Sequence, residues 1–377
     1  MKVLILSCNT GEGHNAAGRA LRECLEKRGY PVVMYDYMQA AGRRTGKLVS
    51  GAYIGMAKHA PGLFYLLYKT AEHISSKDRK SPVYYANTLM GRHLQQYLDE
   101  NDFDIIVMPH LFPAETVTYL KNRGQLTQKT LAVSTDYTCV PFWEETDCDG
   151  YVVPHEDLIA EYTYRGIDAD KLFALGIPVS EAFAVHNNGS AARQRLSLPV
   201  DKTVYLIMCG SMGFGRVQLF TYELYKKCKD GEHIVVICGN NTKLRFSLEK
   251  IYKNSPNVHI IGYTDQVSEY MEACDVIYSK PGGLTSTEAV VKNRPLVHTA
   301  PIPGCETKNM EFFASHGMSV TSKRMYDQVD DGQILACNKL VRDHMLLSQR
   351  EHAKPTAASD IVDLMLKFCG ETEQHQS

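Results

Sequence analysis

The sequence predicts an α/β protein with two doubly wound parallel sheets. Three observations point to this class. Short apolar runs alternate with helix-length stretches along most of the 377 residues, and glycine turns follow several of these runs. A polar, turn-rich stretch at 187–190 interrupts the alternation. Because a chain of this length can bury two cores, we expect two domains, residues 1–180 and 181–355.

Short apolar runs mark the expected strands in order. In the first domain they lie at 3–7, 31–37, 104–109, 130–134, 151–154 and 172–178. In the second domain they lie at 204–209, 234–239, 258–263, 275–280 and 295–299. Parallel strands that are buried on both faces form continuous apolar runs, and such sheets bind ligands at the carboxyl ends of their strands. Functional residues are therefore expected directly after each run.

The composition describes a globular protein with reduced cysteines. A formal net charge of −2 gives no basic field for nucleic acid, so no nucleic-acid partner is expected. None of the 11 cysteines forms a C-x-x-C pair, which argues against structural zinc and disulfides. No apolar run approaches the ~20 residues of a membrane-spanning helix, and the chain opens on a strand rather than a signal peptide. These features predict a cytoplasmic protein.

A glycine loop, G-E-G-H at 11–14, follows the first strand. With an ordinary pKa of ~6.5, His14 is able to accept a proton near neutral pH, so it is a candidate general base. A lone histidine is also a common surface or core residue, and this loop lacks the third glycine of a dinucleotide fingerprint. Asp136 follows the strand at 130–134, where it could be the base, orient another group or cap a loop.

The segment 42–92 mixes basic and aromatic residues without a strand pattern. It contains nine lysine and arginine residues against two acidic ones, a local excess of +7. This mixture is typical of interfacial helices, which place an aromatic face in the headgroup region of an anionic membrane. A pair of core helices with a solvated basic face is the alternative. The lone tryptophan, Trp143, either lies beside a lipid-binding surface or is a buried structural residue.

The stretch 279–289 predicts a strand, a glycine turn and a helix in the second domain. Adjacent glycines allow the turn and the close approach of a ligand, and the first N–H groups of the helix favour a phosphate. The candidate phosphate-binding residues are Lys280, Gly282, Gly283, Leu284, Thr285 and Ser286. Glu288, expected in the first turn, either accepts hydrogen bonds from a ribose or completes a capping box with Thr285.

A second glycine turn follows the strand at 204–209. Its G-x-x-G-x-G order, through Gly210, Ser211 and Gly213, is not the dinucleotide fingerprint, and there is no Walker lysine. We interpret it as a turn over a diphosphate. No D-x-D pair accompanies either glycine turn, so neither a metal ion nor a cofactor is expected. Backbone N–H groups and Lys280 would then have to meet the charge of the leaving group.

With the loop at 11–17, the turn at 282–288 and the segment 301–309, the chain resembles the monogalactosyldiacylglycerol synthase and processive diacylglycerol glucosyltransferase family. The resemblance implies the GT-B architecture, in which two Rossmann-like domains face a cleft. It implies that a last helix, here 356–370, packs back on the first domain. It also implies an inverting, metal-independent transfer of galactose or glucose from a UDP-sugar to diacylglycerol, by a peripheral protein at the cytoplasmic face of the membrane.

The same resemblance implies roles for particular residues. The loop with His14 lies on the acceptor side, and Asp136 belongs to a threonine-aspartate loop of the family. Acceptor and membrane contacts are implied for Gly13, Phe64, Tyr65, Tyr68 and Trp143. Tyr263 closes the strand end that holds uracil in relatives. The donor hexose is read by the segment 301–309, with Glu306 and Asn309 present and Cys305 in place of the usual glutamine.

Two other functions fit the same motifs. One is transfer of N-acetylglucosamine from its UDP form to another lipid-linked acceptor, since the turn at 282–288 is shared in outline with such enzymes. The other is a catalytically silent UDP-sugar sensor, although the presence of His14, Asp136, Glu288 and Glu306 argues against loss of turnover. The expected partners are a UDP-hexose, diacylglycerol or a related lipid, and an anionic membrane surface.

Overall fold

The computed structural model describes residues 1–8, 12–40, 66, 68–71, 74–77, 79–186, 188–210 and 216–371. Internal contacts divide the chain into two compact units. Unit 1 contains Met1–Ser180, Pro303–Cys305 and Lys354–Ser377, and unit 2 contains Glu181–Ile302 and Glu306–Ala353. Each unit is a parallel sheet with flanking helices, which confirms the predicted α/β class.

The strands follow the predicted apolar runs. In unit 1 they are β1 Val3–Ser7, β2 Val32–Asp36, β3 Ile105–Met108, β4 Lys129–Val133, β5 Gly150–Val152 and β6 Leu172–Phe173. In unit 2 they are β7 Val204–Met208, β8 His233–Ile237, β9 Val258–Ile261, β10 Val276–Ser279, β11 Leu296–His298 and β12 Val320–Thr321. The strand β12 was not predicted, because two half-buried residues make no apolar run.

The helices alternate with these strands. Those of the first part of the chain are α1 Glu12–Lys27, α2 Tyr37–Ala40, α3 Pro82–Thr88, α4 Gly91–Asp99, α5 Leu111–Asn122 and α6 Ile159–Tyr164. They are followed by α7 Glu181–Ala184, α8 Gly189–Arg195, α9 Val217–Lys227, α10 Thr242–Ile251, α11 Val267–Ala273 and α12 Gly283–Val291. The last are α13 Cys305–Ser315, α14 Met325–Cys337, α15 Lys339–His352 and α16 Ala357–Phe368.

Each sheet has its first strand in its interior, paired on both sides. Among the described residues, sheet 1 has the order β2-β1-β3-β4-β5-β6 and sheet 2 the order β12-β11-β10-β7-β8-β9, with every pairing parallel. The order reverses at β1 in one sheet and at β7 in the other. Open α/β sheets bind ligands beyond the carboxyl ends of strands at such reversals. The residues that follow β1, β3 and β4, and those that follow β7 and β10, therefore hold the functional positions.

The last helix, α16, completes the core of unit 1. Its buried residues Ile361, Val362 and Met365 join the apolar cluster formed by β1, β3, β4 and α1. Arg28, just beyond α1, forms an ion pair with Asp363 of α16. Burying three such side chains contributes several kcal/mol of apolar transfer free energy, at roughly 25 cal/mol per Å². The core of unit 1 thus depends on residues from both ends of the chain.

Candidate functional site

His14 of unit 1 lies in the first turn of α1, which begins at Glu12, so the end of the predicted glycine loop is helical. Its Nδ1 lies 2.9 Å from the Pro109 carbonyl oxygen and 2.9 Å from Thr135 Oγ1. A carbonyl oxygen can only accept a hydrogen bond, so Nδ1 carries the proton of the neutral ring. The lone pair is therefore on Nε2, which is the atom that can act as a base.

The surroundings of His14 keep its ring neutral near pH 7. Burial lowers its pKa from the ordinary 6.5, against the opposing effects of the Asp136 charge and the Pro109 carbonyl. The His110 ring meets it edge to face, with ring centroids 4.4 Å apart. His110 is buried, and its pKa lies well below 6.5 because of burial and the neighbouring His14. A neutral imidazole is the form that accepts a proton.

The loop with Asp136 is fixed by α6. Tyr162 donates its hydroxyl proton to Ser134 Oγ at 2.7 Å, and Ser134 Oγ in turn contacts the Asp136 carbonyl oxygen at 3.3 Å. One oxygen of the Glu161 carboxylate accepts hydrogen bonds from Thr138 Oγ1 and the Cys139 N–H. Asp136 is half-buried, and its charge acts on the His14 ring. The structure therefore brings the two predicted catalytic residues together at one edge of sheet 1.

Several supports of this edge were not predicted from the sequence. His110 caps α5, because its Nδ1 accepts a hydrogen bond from the Phe112 N–H at 3.1 Å. Its position after a strand and before a helix was a usable signal, since histidine there can act as an N-cap acceptor. Tyr162 gave no signal, because its distance in sequence from Ser134 hides their contact.

The residues predicted for acceptor and membrane contacts divide into three groups. Gly13 lies beside His14 in the first turn of α1, and Tyr68 is helical and half-buried. Phe64 and Tyr65 lie outside the described residues. Trp143 is only 5% exposed and packs edge to face on Tyr151. Of the two alternatives given for this ring, it is therefore a buried structural residue.

The predicted interfacial helices at 42–92 fall mostly outside the described residues. Where the segment is described, two apolar side chains at helical spacing are exposed, Tyr85 of α3 at 62% and its C-cap residue Leu89 at 74%. Leu66 is 62% exposed as well. Tyr84 of the same helix points into the unit and is buried. One face of α3 is thus apolar and open to solvent.

In unit 2 the turn after β10 leads into α12, which begins at Gly283 with Gly282 as its N-cap. The Ser286 N–H donates to the Gly282 carbonyl at 3.0 Å and closes the first turn. The preceding N–H groups, of Gly283, Leu284 and Thr285, have no acceptor among the described residues and are at the positive end of the helix dipole. These three N–H groups form the predicted anion-binding helix start. Ser286, which was also predicted to bind the anion, does not contribute its N–H, because that group already donates to Gly282.

Two expectations about this helix were wrong. The capping box would need Thr285 as N-cap, but Thr285 is already the third helical residue. Glu288 consequently lies in the second turn rather than the first. It is half-buried, one turn from Thr285 on the same side of the helix. The Ser286 side chain is fully buried and faces away from the anion-binding groups.

Lys280 connects the two glycine turns of unit 2. Gly210 has a left-handed backbone (φ +65°), and a Cβ there would lie 2.7 Å from Lys280 Cε, so only glycine fits beneath this side chain. The Lys280 ammonium forms an ion pair with Glu306 of α13. The other Glu306 oxygen accepts a hydrogen bond from the Ile302 N–H at 2.8 Å. Lys280 is thereby held over Gly282, where a Cβ would be 3.6 Å from its Nζ.

The remaining predicted donor residues have distinct positions. Asn309 is fully buried and donates to the Pro281 carbonyl at 3.0 Å, which fixes the turn before α12. Cys305 begins α13 and is half-buried. Tyr263 follows β9 and is 66% exposed. Ser211 and Gly213 lie outside the described residues.

Comparison with solved structures identifies the architecture. UDP-GlcNAc 2-epimerase from Neisseria meningitidis, bound to UDP-GlcNAc, matches with a TM-score of 0.65 at 15% identity, covering 97% of this chain and 100% of that chain. MurG from Acinetobacter baumannii matches with a TM-score of 0.60 at 14% identity and the same coverage. These likenesses establish the fold alone, and that fold is GT-B, as predicted.

The family models and relatives give the narrower assignment. The monogalactosyldiacylglycerol synthase model matches residues 14–179, and the glycosyltransferase family 28 C-terminal domain model matches residues 204–328. Processive diacylglycerol beta-glucosyltransferases from Bacillus thuringiensis and Bacillus cereus are each 26% identical, over 97% of this chain and 93% of the relative. The chain is therefore a glycosyltransferase of the GT-B type that combines a monogalactosyldiacylglycerol synthase domain with a glycosyltransferase family 28 C-terminal domain. No helix in the described part of the chain is long and apolar enough to cross a membrane.

Proposed function

We propose that the protein transfers a hexose, glucose or galactose, from a UDP-sugar to the free hydroxyl of diacylglycerol, with inversion at the anomeric carbon. The observation that carries the proposal is the His14 ring, whose Nδ1–H is held and whose Nε2 remains as the base. The substrate classes are supported by relatives named as diacylglycerol glucosyltransferases. A silent sensor would need no such base, so turnover is favoured over binding alone.

In this proposal unit 1 binds the lipid acceptor and removes its proton. Nε2 of His14 takes the hydroxyl proton while the acceptor oxygen forms its bond to the anomeric carbon. The imidazolium that results is stabilised by the Pro109 carbonyl and by the charge of Asp136. Asp136 thus acts through the ring of His14. Its direct use as the base is the alternative, and an Asp136→Asn variant that keeps substantial turnover would exclude it.

Unit 2 binds the donor and stabilises the leaving UDP. As the bond between the anomeric carbon and the diphosphate oxygen breaks, negative charge develops on that oxygen. The N–H groups of Gly283, Leu284 and Thr285 and the ammonium of Lys280 are the donors that meet this charge. As proposed, the UDP-sugar is a substrate and the reaction needs no resident cofactor or metal ion.

The other donor contacts follow from the positions of the side chains. Glu288, one turn below the anion-binding groups, accepts hydrogen bonds from the ribose hydroxyls. Tyr263 and the end of β9 hold the uracil, and Gly210, beneath the Lys280 side chain, lies beside the diphosphate. Glu306 and Cys305 face the hexose, with Glu306 also orienting Lys280. Asn309 acts indirectly, by fixing the turn at Pro281.

The acceptor reaches the protein at a membrane surface in this proposal. The exposed side chains of Tyr85 in α3 and of Leu89 at its C-cap, together with Leu66, enter the headgroup region at the cytoplasmic face. The +7 charge excess of the segment 42–92 attracts anionic lipid. Binding to anionic vesicles should weaken with added salt, because the attraction is screened within about 10 Å at 0.1 M. Equal binding to neutral vesicles would contradict the electrostatic part.

The direct test is turnover. Purified protein is incubated with diacylglycerol in anionic vesicles and one donor at a time, UDP-glucose, UDP-galactose or UDP-N-acetylglucosamine, with and without EDTA. The mass of the extracted lipid is then measured by mass spectrometry. We expect a hexose added to diacylglycerol with one of the first two donors, unaffected by EDTA. Measurable UDP binding without any lipid product would overturn the proposed transfer and favour the sensor.

A second candidate is transfer of N-acetylglucosamine to another lipid-linked acceptor. It is favoured by one observation, that Cys305 stands where a glutamine commonly precedes the glutamate in hexose-reading relatives. A smaller side chain there leaves more room beside the sugar. Product formation with UDP-N-acetylglucosamine alone would select this candidate.

A further inference from the structure

A buried histidine lies behind the anion-binding helix start of unit 2. His298 ends β11 and is fully buried, with Ser279 of β10 as its register partner on one side and Thr321 of β12 on the other. Its Nε2 lies 2.9 Å from Ser286 Oγ of α12, and its Nδ1 lies 3.0 Å from Ser319 Oγ just before β12. The ring of Phe313 packs edge to face against it. His298 therefore bridges the sheet and the first turn of α12.

The chemistry of the ring suits a fixed link. Burial lowers the pKa of His298 to about 3, so the ring is neutral at all physiological pH values. A neutral imidazole has one donor and one acceptor nitrogen, and a serine hydroxyl can take either role. Both serine contacts are thus satisfied whichever tautomer is present. A buried hydroxyl left without its partner destabilises the folded protein, so the link resists displacement.

Ser286 is the residue through which this link reaches the phosphate site. Its N–H closes the first turn of α12 onto Gly282, and the anion-binding N–H groups lie within the loop that this bond closes. Gly282 itself has no side-chain cap to hold the turn. The orientation of the turn then depends on contacts from behind it, and the His298 ring supplies one to the very residue that closes it.

We propose that His298 is a positioning residue for the donor: through Ser286 it fixes the first turn of α12 and so aims the N–H groups of Gly283, Leu284 and Thr285 at the diphosphate. This inference rests on the proposed function, because it needs a UDP-sugar at α12. His298 touches no substrate. Its effect is on donor affinity, whereas the proton transfer at His14 of unit 1 is unaffected.

The test compares three replacements of His298. His298→Leu removes both contacts and should raise KM for the UDP-sugar about tenfold and weaken UDP binding in calorimetry by the same factor, with a smaller fall in kcat because the same N–H groups meet the charge of the leaving UDP. His298→Gln reaches about as far as Nε2 and should restore most of the affinity through Ser286. His298→Asn reaches only about as far as Nδ1, keeps the Ser319 contact and should behave like the leucine variant.

A matched control separates positioning from general destabilisation. Gln349 of α15 is equally buried and donates to the carbonyl oxygens of Arg294 and Met318, so Gln349→Leu also leaves buried groups unpaired but breaks no hydrogen bond to a residue of α12. It should lower the unfolding temperature without raising KM. If His298→Leu does not fold, Ser286→Ala removes the same link at little cost in volume and should raise KM in the same way.

The outcomes distinguish the inference from the proposed function. Wild-type protein that binds no UDP would overturn both. UDP binding by the wild type with unchanged affinity in His298→Leu or Ser286→Ala would overturn the positioning role and leave the proposed function standing. An equal rise of KM in Gln349→Leu would also overturn it, since the effect would then follow stability alone.

Discussion

In the proposed reaction the two units act in different ways. In unit 1 the chemistry is that of a side chain, the His14 ring, whose proton is fixed on Nδ1 by Pro109 and Thr135. In unit 2 it is that of the backbone, the N–H groups at the start of α12. A proton acceptor needs a titratable side chain, whereas an anion is held well by backbone dipoles. A single side-chain replacement can therefore abolish the proton transfer in unit 1. In unit 2 a replacement cannot remove the backbone N–H groups, so it weakens donor binding only by changing the backbone conformation or by removing an assisting side chain.

The sharpest way to break this comparison is to remove the base. His14→Ala should lower turnover about 10³-fold, because a general base contributes roughly 10²–10⁴-fold, while UDP affinity stays at the wild-type value. Steady-state kinetics and calorimetry measure the two quantities. His93→Ala, at an exposed position of α4 in the same unit, is the control and should change neither. A loss of UDP affinity in His14→Ala would remove the assignment of the base to unit 1.

A smaller effect is expected from a side chain that assists the backbone site. Glu288→Ala should weaken UDP binding about 30-fold, since hydrogen bonds to a charged group are worth ~1.5–3 kcal/mol. Its kcat at saturating donor should remain within a few-fold of wild type. Glu311→Ala, an exposed acidic residue on α13, serves as the control. Unchanged affinity in Glu288→Ala would leave the site with backbone contacts alone.

The shape of the backbone site can be tested at Gly210. An alanine there would be strained by the left-handed backbone conformation, at a cost of ~1–2 kcal/mol, and its Cβ would displace the Lys280 side chain from its position over the turn. Gly210→Ala should weaken UDP binding about tenfold. Gly231→Ala provides the matched control, because it has the same kind of backbone (φ +82°) but no neighbour closer than 3.4 Å. If both variants bind UDP equally well, the position of Lys280 is irrelevant to donor binding.

The smallest effect concerns the pH dependence of stability. Burial shifts the pKa of one group in each unit, and the two shifts have opposite directions. Burial raises the pKa of Glu115 in α5 of unit 1 to about 8, from 4.5, and lowers that of His298 in unit 2 to about 3. The folded state binds the Glu115 proton more tightly than the unfolded chain, so stability falls as pH rises from about 4.5 to about 8. For His298 the unfolded chain binds the proton more tightly, so stability falls as pH drops below 6.5.

Glu115→Gln isolates the contribution of unit 1. It removes the titration and should flatten the fall of stability between pH 6 and pH 8 by about 1 kcal/mol per pH unit. Urea unfolding at several pH values measures this slope. Glu100→Gln, at an exposed position, should leave the slope unchanged. A slope in Glu115→Gln equal to that of the wild type would mean that Glu115 is already ionised in the folded protein.

Much of the fold followed from local pattern. Continuous apolar runs gave the strands β1 and β7 through β11 within a residue or two, because parallel strands are buried on both faces. The glycine turn after β10 was predicted from its two adjacent glycines, although Gly282 (φ −72°) has a backbone that other residues adopt as readily. The capping box of Thr285 and Glu288 would start α12 three residues too late, at Ser286 instead of Gly283, because a glycine N-cap leaves no side-chain signal.

The parts of the site that pattern could not supply are tertiary contacts. The partners of His14 are Pro109 and Thr135, 95 and 121 residues away along the chain. Nothing local indicated that Ser286 would turn from the anion-binding groups to His298. Lys280 and Glu306 were both expected to meet the donor, and their pairing with each other was not anticipated. Contacts between distant segments depend on the packed structure, and a single sequence does not record them.

The return of α16 to unit 1 has a consequence for the order of events during synthesis. Residues 1–180 leave the ribosome first, but Ile361, Val362 and Met365, which complete their core, are made only after all of unit 2. Domains generally fold as units, the N-terminal one first. In this chain unit 2, which lies later in the sequence, is fully synthesised before the last segment of unit 1. The core of the unit that contains His14 can therefore be completed only after the last helix has been translated.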